Sequence, residues 1–329
     1  MSSKQDQQPS VTVIIAMKDA QTTILYTLAS VVKQTYPIKE IFVVDNDSDD
    51  RSVAVVKQFM KKHGSLIRLI QRKENKGVGS SFNVGAKYAT GKYIIVMHSD
   101  CSLPTNRELS KLVEPLRRSD DVVASCPTII LPEYVWNKYN FWEKCLLSRS
   151  VGKEYHSLST KFDAIRKSTF VDIGGFDEIN FGEDIGSGSE DADLHIRLKK
   201  VGKIAFTEAR ALHLHYLSSD YSVWDWIKNR KLLARSYGRH IRMHFADLSF
   251  GAVLFGVKPL LAILPFLPGF HAIGLLLLAA YSIVYTSKMY VSPSAHRDPR
   301  IILLPFINIY LVYYEVFWMA ESFLFLPKQ

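Results

Sequence analysis

The chain has 329 residues and a formal net charge of +9, from 41 lysines and arginines against 32 aspartates and glutamates. This length allows one large domain and a smaller one, and a hydrophobic share of 47% excludes a disordered protein. The three cysteines lack the spacing of zinc ligands, which argues against a disulfide framework or a structural zinc site and favours a reducing compartment. The positive charge fits anionic lipid, phosphorylated substrates or nucleic acid, and composition does not separate these.

Residues 1–10 are a polar tail without the apolar core of a signal peptide, so we expect the following domain, 11–220, to stay in the cytoplasm. In that domain short β-branched runs alternate with amphipathic stretches. The runs VTVIIA, EIFVVD, LIRLIQ and YIIVMHSD predict strands, and the stretches predict helices near 22–35, 51–63 and 80–88. This alternation predicts an α/β fold with a Rossmann-like, mostly parallel central sheet and helices on both faces. Ligands are then expected at the carboxyl ends of the strands.

Two apolar segments, 248–291 and 301–327, are long enough to cross a membrane. Pro268 and Gly269 interrupt the first segment, which predicts two crossings or a re-entrant hairpin, with one long tilted helix as the alternative. The linker 288–300 carries three basic residues against one acid and therefore favours the cytoplasm. We predict a membrane domain at 248–329 with two or three transmembrane helices, in a multi-pass protein whose N-terminal domain faces the cytoplasm.

The region 221–247 precedes the apolar segments and contains basic residues every three or four positions. They predict one stripe along an amphipathic helix, which at this place would attract the headgroups of membrane lipids. An ordinary solvated helix face is the alternative. No motif supports nucleic-acid binding. The stripe consists of Lys228, Lys231, Arg235, Arg239 and Arg242.

Polar residues follow the first two predicted strands. The stretch from Ala16 to Asp19 ends the first strand, where backbone groups could hold a nucleobase. Asp45 and Asp47 end the second strand, where a carboxylate can accept hydrogen bonds from a base or a ribose hydroxyl. An N-cap cluster is the alternative interpretation of these acids, and it suits Asp49 or Asp50.

Two later stretches carry further candidate chemistry. The first, ENKGVGSSFNVGAKYATGKYIIVMHSDC, is a glycine-rich turn, a helix and a strand that ends at His98, Ser99 and Asp100. The second contains GGFDE and then the acidic pair Glu190 and Asp191 at the start of a predicted helix. A carboxylate at such a place can deprotonate an acceptor hydroxyl, or can simply stabilise the first turn of the helix.

In order and spacing these features resemble the inverting family 2 glycosyltransferases with the GT-A fold, over roughly residues 11–216. The matching stretches are VVDNDSDD, the run from Asn75 to Gly85, the tripeptide HSD in place of D-x-D, GGFDE, and the pair ED. The resemblance implies that Asp191, with Glu190 beside it, is the catalytic base, and that Asp100 binds a divalent metal ion. It also implies an acceptor side at Gly175, Phe176 and Asp177. The donor-binding residues would be Ala16, Lys18, Asp45, Asp47, Asn75, Gly77, His98, Ser99 and Asp100.

The sequence departs from the family at two positions. His98 stands in place of the first aspartate of D-x-D and could contact the metal or a ribose, which would favour Mn²⁺ over Mg²⁺. Phe82 stands in place of the usual arginine, whose contact is lost or taken over by Arg72 or Lys76. In LHLHY, His213 and His215 would share one face of a strand, and we favour His215 as a second metal ligand, with a structural histidine as the alternative.

The resemblance predicts a membrane-anchored glycosyltransferase that moves a sugar from a nucleotide-sugar donor to a lipid-linked or cell-surface glycan acceptor. A processive polysaccharide synthase is less favoured, because no Q-x-x-R-W sequence follows the ED pair. The rival from another class is a catalytically inactive, membrane-tethered nucleotide-sugar-binding scaffold, which His98 and Phe82 would suit. A nucleotidyltransferase is disfavoured because no glycine-rich phosphate loop lies near Ala16.

Overall fold

The computed structural model describes residues 9–182, 188–215, 220–245 and 257–325. Contacts divide them into two units. The first unit contains the described residues up to Pro132, those from Gly152 to 182 and those from Glu190 to 215. The second unit contains Glu133–Val151, which the sequence division at 220 assigns to the N-terminal domain, and the described residues after 217.

The first unit is a sheet with helices. Its strands are β1 (Val11–Met17), β2 (Ile38–Asp45), β3 (Ile67–Gln71), β4 (Tyr93–His98), β5 (Cys101–Ser102), β6 (Val122–Ile130), β7 (Glu154–His156), β8 (Phe162–Arg166) and β9 (Lys203–His213). Its helices are α1 (Ile24–Val32), α2 (Ser52–His63), α3 (Val78–Tyr88), α4 (Glu108–Arg118), α6 (Lys167–Asp172) and α7 (Glu190–Val201), with a 3-10 turn at Gly64–Leu66. The four strands and three helices that the sequence predicts are therefore confirmed within a few residues.

The strand order is β3-β2-β1-β4-β8-β6-β9-β5, with β7 beside β6. The neighbouring pairs among β3, β2, β1 and β4 are parallel, as is β6 with β9. However, β8 lies between β4 and β6 and is antiparallel to both, and β5 and β7 are antiparallel to their partners. The sheet is therefore mixed: its first half is parallel, as predicted, because it is built from strand-helix-strand crossovers, and the antiparallel pairs all involve the later strands β5, β7 and β8.

Both faces of the sheet are covered by helices, as predicted. Alternate side chains of β1 point to opposite faces, so Val13 and Ile15 pack with α1, α2 and α4, whereas Ile14 packs with α3, α6 and α7. Burying a Val or Ile side chain contributes roughly 1.5–3 kcal/mol, so these two layers hold the strand ends in a fixed arrangement.

The second unit is helical. Its helices are α5 (Phe141–Leu147), α8 (Val223–Met243), α9 (Val257–Ile263), α10 (His271–Val284), α11 (Ser287–Val291) and α12 (Leu304–Leu324), with 3-10 turns at Glu133–Lys138, Leu264–Phe266 and Pro299–Leu303. A capping box at Ser222 and Asp225 begins α8. Gly238 lets α8 approach α12 closely, because a Cβ there would collide with the backbone of Met319.

One helix among the described residues, Pro299–Leu324, is long and apolar enough to cross a membrane, with a mean hydropathy of 1.7 over its most apolar window. The predicted first apolar segment instead forms two shorter apolar helices, Val257–Phe266 and His271–Val284, on either side of the Pro268-Gly269 turn. A span needs about 20 residues, and neither of these two helices reaches that length among the described residues. The predicted start of the membrane domain at 248 lies outside the described residues.

The basic stripe of α8 contacts α12 instead of forming one open face. The ammonium of Lys231 lies 3.7 Å from the ring centroid of Trp318, and Arg235 forms an ion pair of 3.3 Å with Glu321. Arg239 is buried, and Arg242 donates to the carbonyl of Phe323. Helical spacing identifies a stripe but not what covers it: four of its five members contact α12 or are buried, Lys228 is exposed, and a lipid-facing role of the stripe stays a prediction.

Candidate active site

The polar residues of the first unit converge at one edge of the sheet. The parallel strands β1, β2 and β4 end there, and the strand register pairs Ala16 with His98 and the next residue, Met17, with Asp45. Because β8 runs the other way, its start lies at the same edge, and β9 ends there opposite β5. The start of α7 lies there too. This follows because β9 ends at this edge and begins at the opposite one, where the end of α7 leads into it. This edge therefore brings together side chains that lie up to 200 residues apart in the sequence.

The Asp45 carboxylate is the most deeply buried polar group of the predicted nucleotide side, with 2% of its surface exposed. Burial raises the pKa of Asp45, although hydrogen bonds from Ser48 oppose this effect. Its Oδ1 atom has no hydrogen-bond partner within the described residues, and neither has NH1 of Arg72 at the end of β3. Buried polar atoms without partners are costly, so these two are available for hydrogen bonds to a ligand.

The loops after β1 and β2 are joined to each other. Lys18 donates to the carbonyl of Asp47 at 2.7 Å, and Asp50 accepts from the backbone of Ser52 at the start of α2, in the capping role expected of it. Asp47 and Asp19 both have positive φ, which keeps these loops in tight turns. The side chain of Asp47 is exposed.

The glycine-rich turn before α3 is fixed by a pair of amides. The side chains of Asn46 and Asn75 bond to each other, Asn46 also accepts from the backbone of Lys76, and Asn75 accepts from the backbone of Gly77. Gly77 has a φ of 83°, where a side chain would be strained. We did not single out Asn46 from the sequence, although it follows Asp45 directly.

His98 is held by neighbours of the protein itself. Its Nε2 atom lies 2.9 Å from Oγ1 of Thr160, and its ring stacks on Phe82 with 6.2 Å between centroids. Phe82 is fully buried in the core, so it takes no part in ligand contacts. Burial, followed by the charge of Lys161, lowers the pKa of His98 to about 3, which keeps the imidazole neutral.

Asp100 and His213 form the most favourable metal-binding pair of this edge. His213 Nε2 lies 3.1 Å from Asp100 Oδ2, and one ligand atom each of Asp100, Cys101 and His213 fall within 4.8 Å of one another. Burial opposes ionisation of Asp100, but His213 and the other nearby imidazoles outweigh it and hold its pKa well below the usual range. Burial raises the pKa of the Cys101 thiol, so it stays protonated. A carboxylate and an imidazole are donors that fit Mn²⁺.

His215, which we favoured as the second metal ligand, lies outside that group. Its ring centroid is 4.8 Å from that of His213, and its φ of 44° turns the chain out of β9. Burial lowers the pKa of His215 to about 3. The geometry therefore places His213 directly beside Asp100, with His215 within electrostatic reach of the same carboxylate, and His215 as a metal ligand stays a prediction.

Asp191 lies in the first turn of α7, next to the buried Glu190. Burial, and then the charge of Glu190, raise the pKa of Asp191 to about 6, and Lys161 partly opposes them. A carboxyl group with this pKa can take up a proton near neutral pH. Asp193 of the same turn is occupied instead by a two-contact ion pair with Arg197, at 2.6 and 2.9 Å.

Lys161 lies within electrostatic reach of both Asp100 and Asp191, and no motif in the sequence marks it as a site residue. It lies just before β8, whose antiparallel register with β4 places it beyond the Met97–Phe162 pair, next to His98. Its ammonium donates to the carbonyl of Ser159 at 3.3 Å. Burial would lower its pKa, but Tyr155, Asp191, Cys101 and Asp100 together raise it, so the ammonium is charged within electrostatic reach of both Asp100 and Asp191.

Comparisons with known proteins agree with this arrangement. Residues 12–175 match the sequence model of the family described as Glycosyl transferase family 2. The poly-beta-1,6-N-acetyl-D-glucosamine synthase of Staphylococcus epidermidis is 23% identical over 193 residues, which cover 56% of this chain and 46% of that protein. The chain belongs to the family 2 glycosyltransferases.

Two further similarities extend this assignment. The UDP-Glc:alpha-D-GlcNAc-diphosphoundecaprenol beta-1,3-glucosyltransferase WfgD of Escherichia coli is 36% identical over 90 residues, 27% of this chain and 34% of that one. The structure of the mannosyltransferase PcManGT from Pyrobaculum calidifontis, in complex with GDP-Man and Mn²⁺, has a TM-score of 0.57 at 18% identity, over 96% of this chain and 87% of that one. It shares the GT-A fold. The chain spans less than half the length of the curated relatives that it matches here.

In this family 2 glycosyltransferase the predicted acceptor residues lie beside α3. Gly175, with a φ of 70°, has no room for a side chain, since a Cβ would lie 2.5 Å from Oδ1 of Asn83. Phe176 is buried in the core, and Asp177 accepts from the backbone of Ile179 and Asn180, which closes the turn. The turn lines a cavity of about 680 Å³, whose walls include neither Asp100 nor Asp191 among the described residues.

Proposed function

We propose that this chain is an inverting glycosyltransferase that moves a sugar from a nucleotide-sugar donor to a lipid-linked or cell-surface glycan acceptor. One observation supports the proposal: Asp191, whose pKa is raised to about 6, and Asp100 of the Asp100–His213 pair both lie within electrostatic reach of the charged Lys161 at the carboxyl edge of the sheet. Asp191 would take the proton of the acceptor hydroxyl. The acceptor oxygen then bonds to the sugar C1 as the bond from C1 to the diphosphate breaks.

Negative charge develops on the diphosphate as it leaves the sugar, and a cation beside the diphosphate would stabilise it. Asp100 and His213 would hold a divalent metal ion there, which stabilises the charge that develops on the diphosphate. The imidazole ligand favours Mn²⁺ over Mg²⁺. Asp45, Asn46 and Arg72 would bind the nucleotide, and Lys161 would add an ammonium to the phosphate side. Supporting this choice, the mannosyltransferase PcManGT is bound to GDP-Man and Mn²⁺.

We further propose that the chain is anchored in a membrane through its second unit, with the first unit on the cytoplasmic side. The helix Pro299–Leu324 has the length of a span, and its apolar side chains are uncovered, with Phe306 70% and Phe317 62% exposed. The basic residues before this helix favour the cytoplasm for its start. An acceptor carried on a lipid suits an enzyme held at a membrane, and the name of WfgD includes a diphosphoundecaprenol substrate.

The test is a transfer and hydrolysis assay with a panel of nucleotide-sugars, each with Mn²⁺, with Mg²⁺ and with a chelator. Wild type should release nucleoside diphosphate in the presence of metal, and Asp100→Ala should lose metal-dependent donor binding in calorimetry. Asp121→Ala, an exposed acid of the same unit, is the matched control. Metal-dependent donor binding without any turnover would favour the scaffold instead, and Asp100→Ala with unchanged metal dependence would contradict the metal assignment.

A further inference from the structure

Thr160, in the turn before β8, has an unusual backbone conformation. Its φ is 61°, in the left-handed region that glycine adopts freely and that a β-branched residue adopts only with strain. Such strain persists where the surrounding structure fixes it, and it is most common at active sites. Thr160 is 2% exposed, and its hydroxyl lies 2.9 Å from Nε2 of His98. The strained residue therefore lies at the sheet edge where the polar residues converge.

Asp163 supplies the contacts that fix this turn. Its side chain is fully buried on β8, and its Oδ2 atom accepts from the backbone of Ser159 at 2.9 Å and from that of Thr160 at 2.5 Å. The hydroxyl of Thr160 donates to the carbonyl of Ser159 at 2.6 Å. Strand β8 is itself held between β4 and β6, where Asp163 pairs with Val96. One carboxyl oxygen thus ties the turn to the sheet.

Lys161 follows Thr160, and the same turn determines where its ammonium lies. The ammonium donates to the carbonyl of Ser159 at 3.3 Å, so the side chain folds back over the turn that Asp163 holds. Among the described residues it forms no ion pair with Asp100 or Asp191, although both carboxylates raise its pKa. The hydrogen bonds of the turn, rather than a carboxylate partner, therefore fix the position of this ammonium.

Asp163 would be an unfavourable residue here if it served only the stability of β8. Its neighbours Phe162 and Ala164 are buried apolar residues, and its Oδ1 atom has no hydrogen-bond partner among the described residues. A buried polar atom without a partner costs stability, and an apolar side chain on this strand would avoid that cost. The carboxyl group is therefore better explained by what its other oxygen holds in place.

We propose that Asp163 is a positioning residue for sugar transfer, which acts by holding the ammonium of Lys161 within reach of Asp100 and Asp191. The inference rests on the proposed function, because it concerns the same sheet edge. Asp163 would touch neither donor nor acceptor. Its two backbone hydrogen bonds would keep the ammonium in place before the diphosphate leaves, so that the developing charge meets a cation that does not have to move.

The first experiment follows the position of Lys161 without donor, metal or turnover. The full chain in neutral detergent is treated with an amine-reactive acylating reagent, and mass spectrometry of the peptides gives the rate of Lys161 labelling. Asp163→Ala should raise that rate several-fold, because the ammonium leaves its enclosed place. Asp163→Asn keeps an oxygen that can accept both backbone hydrogen bonds and should react like wild type.

Glu40→Ala is the matched control for the loss of a buried acid. Glu40 is 7% exposed and accepts from the backbone of Thr90 at 2.7 Å, but it lies near the start of β2, at the opposite edge of the sheet. Its replacement should lower thermal stability without changing the labelling of Lys161. Thermal unfolding of every variant checks that it is folded.

The second experiment asks whether Asp163 acts through Lys161. Turnover per folded molecule is measured for Asp163→Ala, for Lys161→Met and for the double variant. Asp163→Ala should lower turnover roughly ten- to a hundred-fold, the scale of a group misplaced by an ångström, and Asp163→Asn should recover most of the loss. The double variant should be no slower than the slower single variant, because two changes that act on one group are not additive.

The outcomes separate the placement of Lys161 from sugar transfer itself. Equal labelling of Lys161 in Asp163→Ala and wild type, faster labelling in Glu40→Ala as well, or losses of turnover that multiply in the double variant would overturn the proposal. A wild type that transfers no sugar would instead contradict the proposed function, and the labelling rates would still decide the role of Asp163. If Asp163→Ala does not fold, Asp163→Val, which suits a buried strand, replaces it in both experiments.

Discussion

The two units each contain a cluster of charged side chains, and the clusters are built in opposite ways. At the sheet edge, carboxylates outnumber cations: Asp100, Asp163 and Asp191 surround Lys161. In the helical unit, Arg230 and Lys258 share the single carboxylate of Glu315. An excess of carboxylates suits a metal ion and a proton acceptor, whereas an excess of cations suits an anion.

Asp163 shows how strongly burial raises the pKa of a carboxyl group at the sheet edge. Its Oδ2 accepts from the backbone of Ser159 and Thr160, at 2.9 and 2.5 Å, yet burial raises its pKa to about 7. Those bonds fix the turn that carries Thr160 and Lys161 towards His98. Asp163 thus positions the residues on which the site depends.

The largest effect that we expect is at Asp191. Asp191→Asn should lower turnover by roughly two to four orders of magnitude, the scale of a removed general base, and leave donor affinity nearly unchanged. Asp193→Asn is the matched control, because Asp193 is a buried acid of the same helical turn that pairs with Arg197. That control should lower thermal stability but keep most of the turnover per folded molecule. Transfer at the wild-type rate by Asp191→Asn would disprove the base assignment.

The residues around Asp191 also show what a sequence can predict. Alternating β-branched runs are enough to place β1 to β4 and the acids at their ends, because each pattern is local. Lys161 could not be found, since its place depends on a five-residue strand that inserts antiparallel between β4 and β6. Likewise, alternation places His213 and His215 on one face, but only the pairing of β9 with β5 shows that His213 meets Asp100.

In the helical unit the largest effect should come from Glu315→Gln. Removing this carboxylate leaves Arg230 and Lys258 buried together without it, and breaking a buried ion pair costs about 3–5 kcal/mol. The control is Glu321→Gln on the same helix, whose pair with Arg235 is partly exposed and should contribute about 0–1 kcal/mol. Thermal unfolding in detergent compares the two. Similar melting temperatures for both variants would show that the cation cluster does not depend on Glu315.

The pH dependence of turnover tests the role of Lys161, the cation among the carboxylates of the sheet edge. Because Asp191 must be ionised to accept a proton and its pKa is raised to about 6, turnover should fall about ten-fold per unit below that pH. Lys161 lowers the pKa of Asp191, so Lys161→Met should raise that pKa further and shift the acidic loss of turnover to higher pH. Lys203→Met changes an exposed lysine of the same unit and should leave the pH at which turnover falls unchanged. If turnover of Lys161→Met falls at the same pH as in wild type, or at a lower one, Lys161 does not lower the pKa of Asp191.

The smallest effect that we expect is on the ratio of Mn²⁺- to Mg²⁺-supported activity, which tests whether His98 or His213 binds the metal. From the sequence, His98 could be a ligand, and Mn²⁺ would then be preferred because of it. The structure gives His98 a hydrogen bond to Thr160 and a stacking contact with Phe82, while His213 lies against Asp100. We therefore expect His213→Asp to narrow the ratio of Mn²⁺- to Mg²⁺-supported activity several-fold, because a second carboxylate serves either ion. His98→Asn can still bond to Thr160 and should leave that ratio unchanged. Metal-titrated initial rates of both variants at neutral pH make the comparison, and a ratio that changes in His98→Asn but not in His213→Asp would assign the ligand to His98 instead.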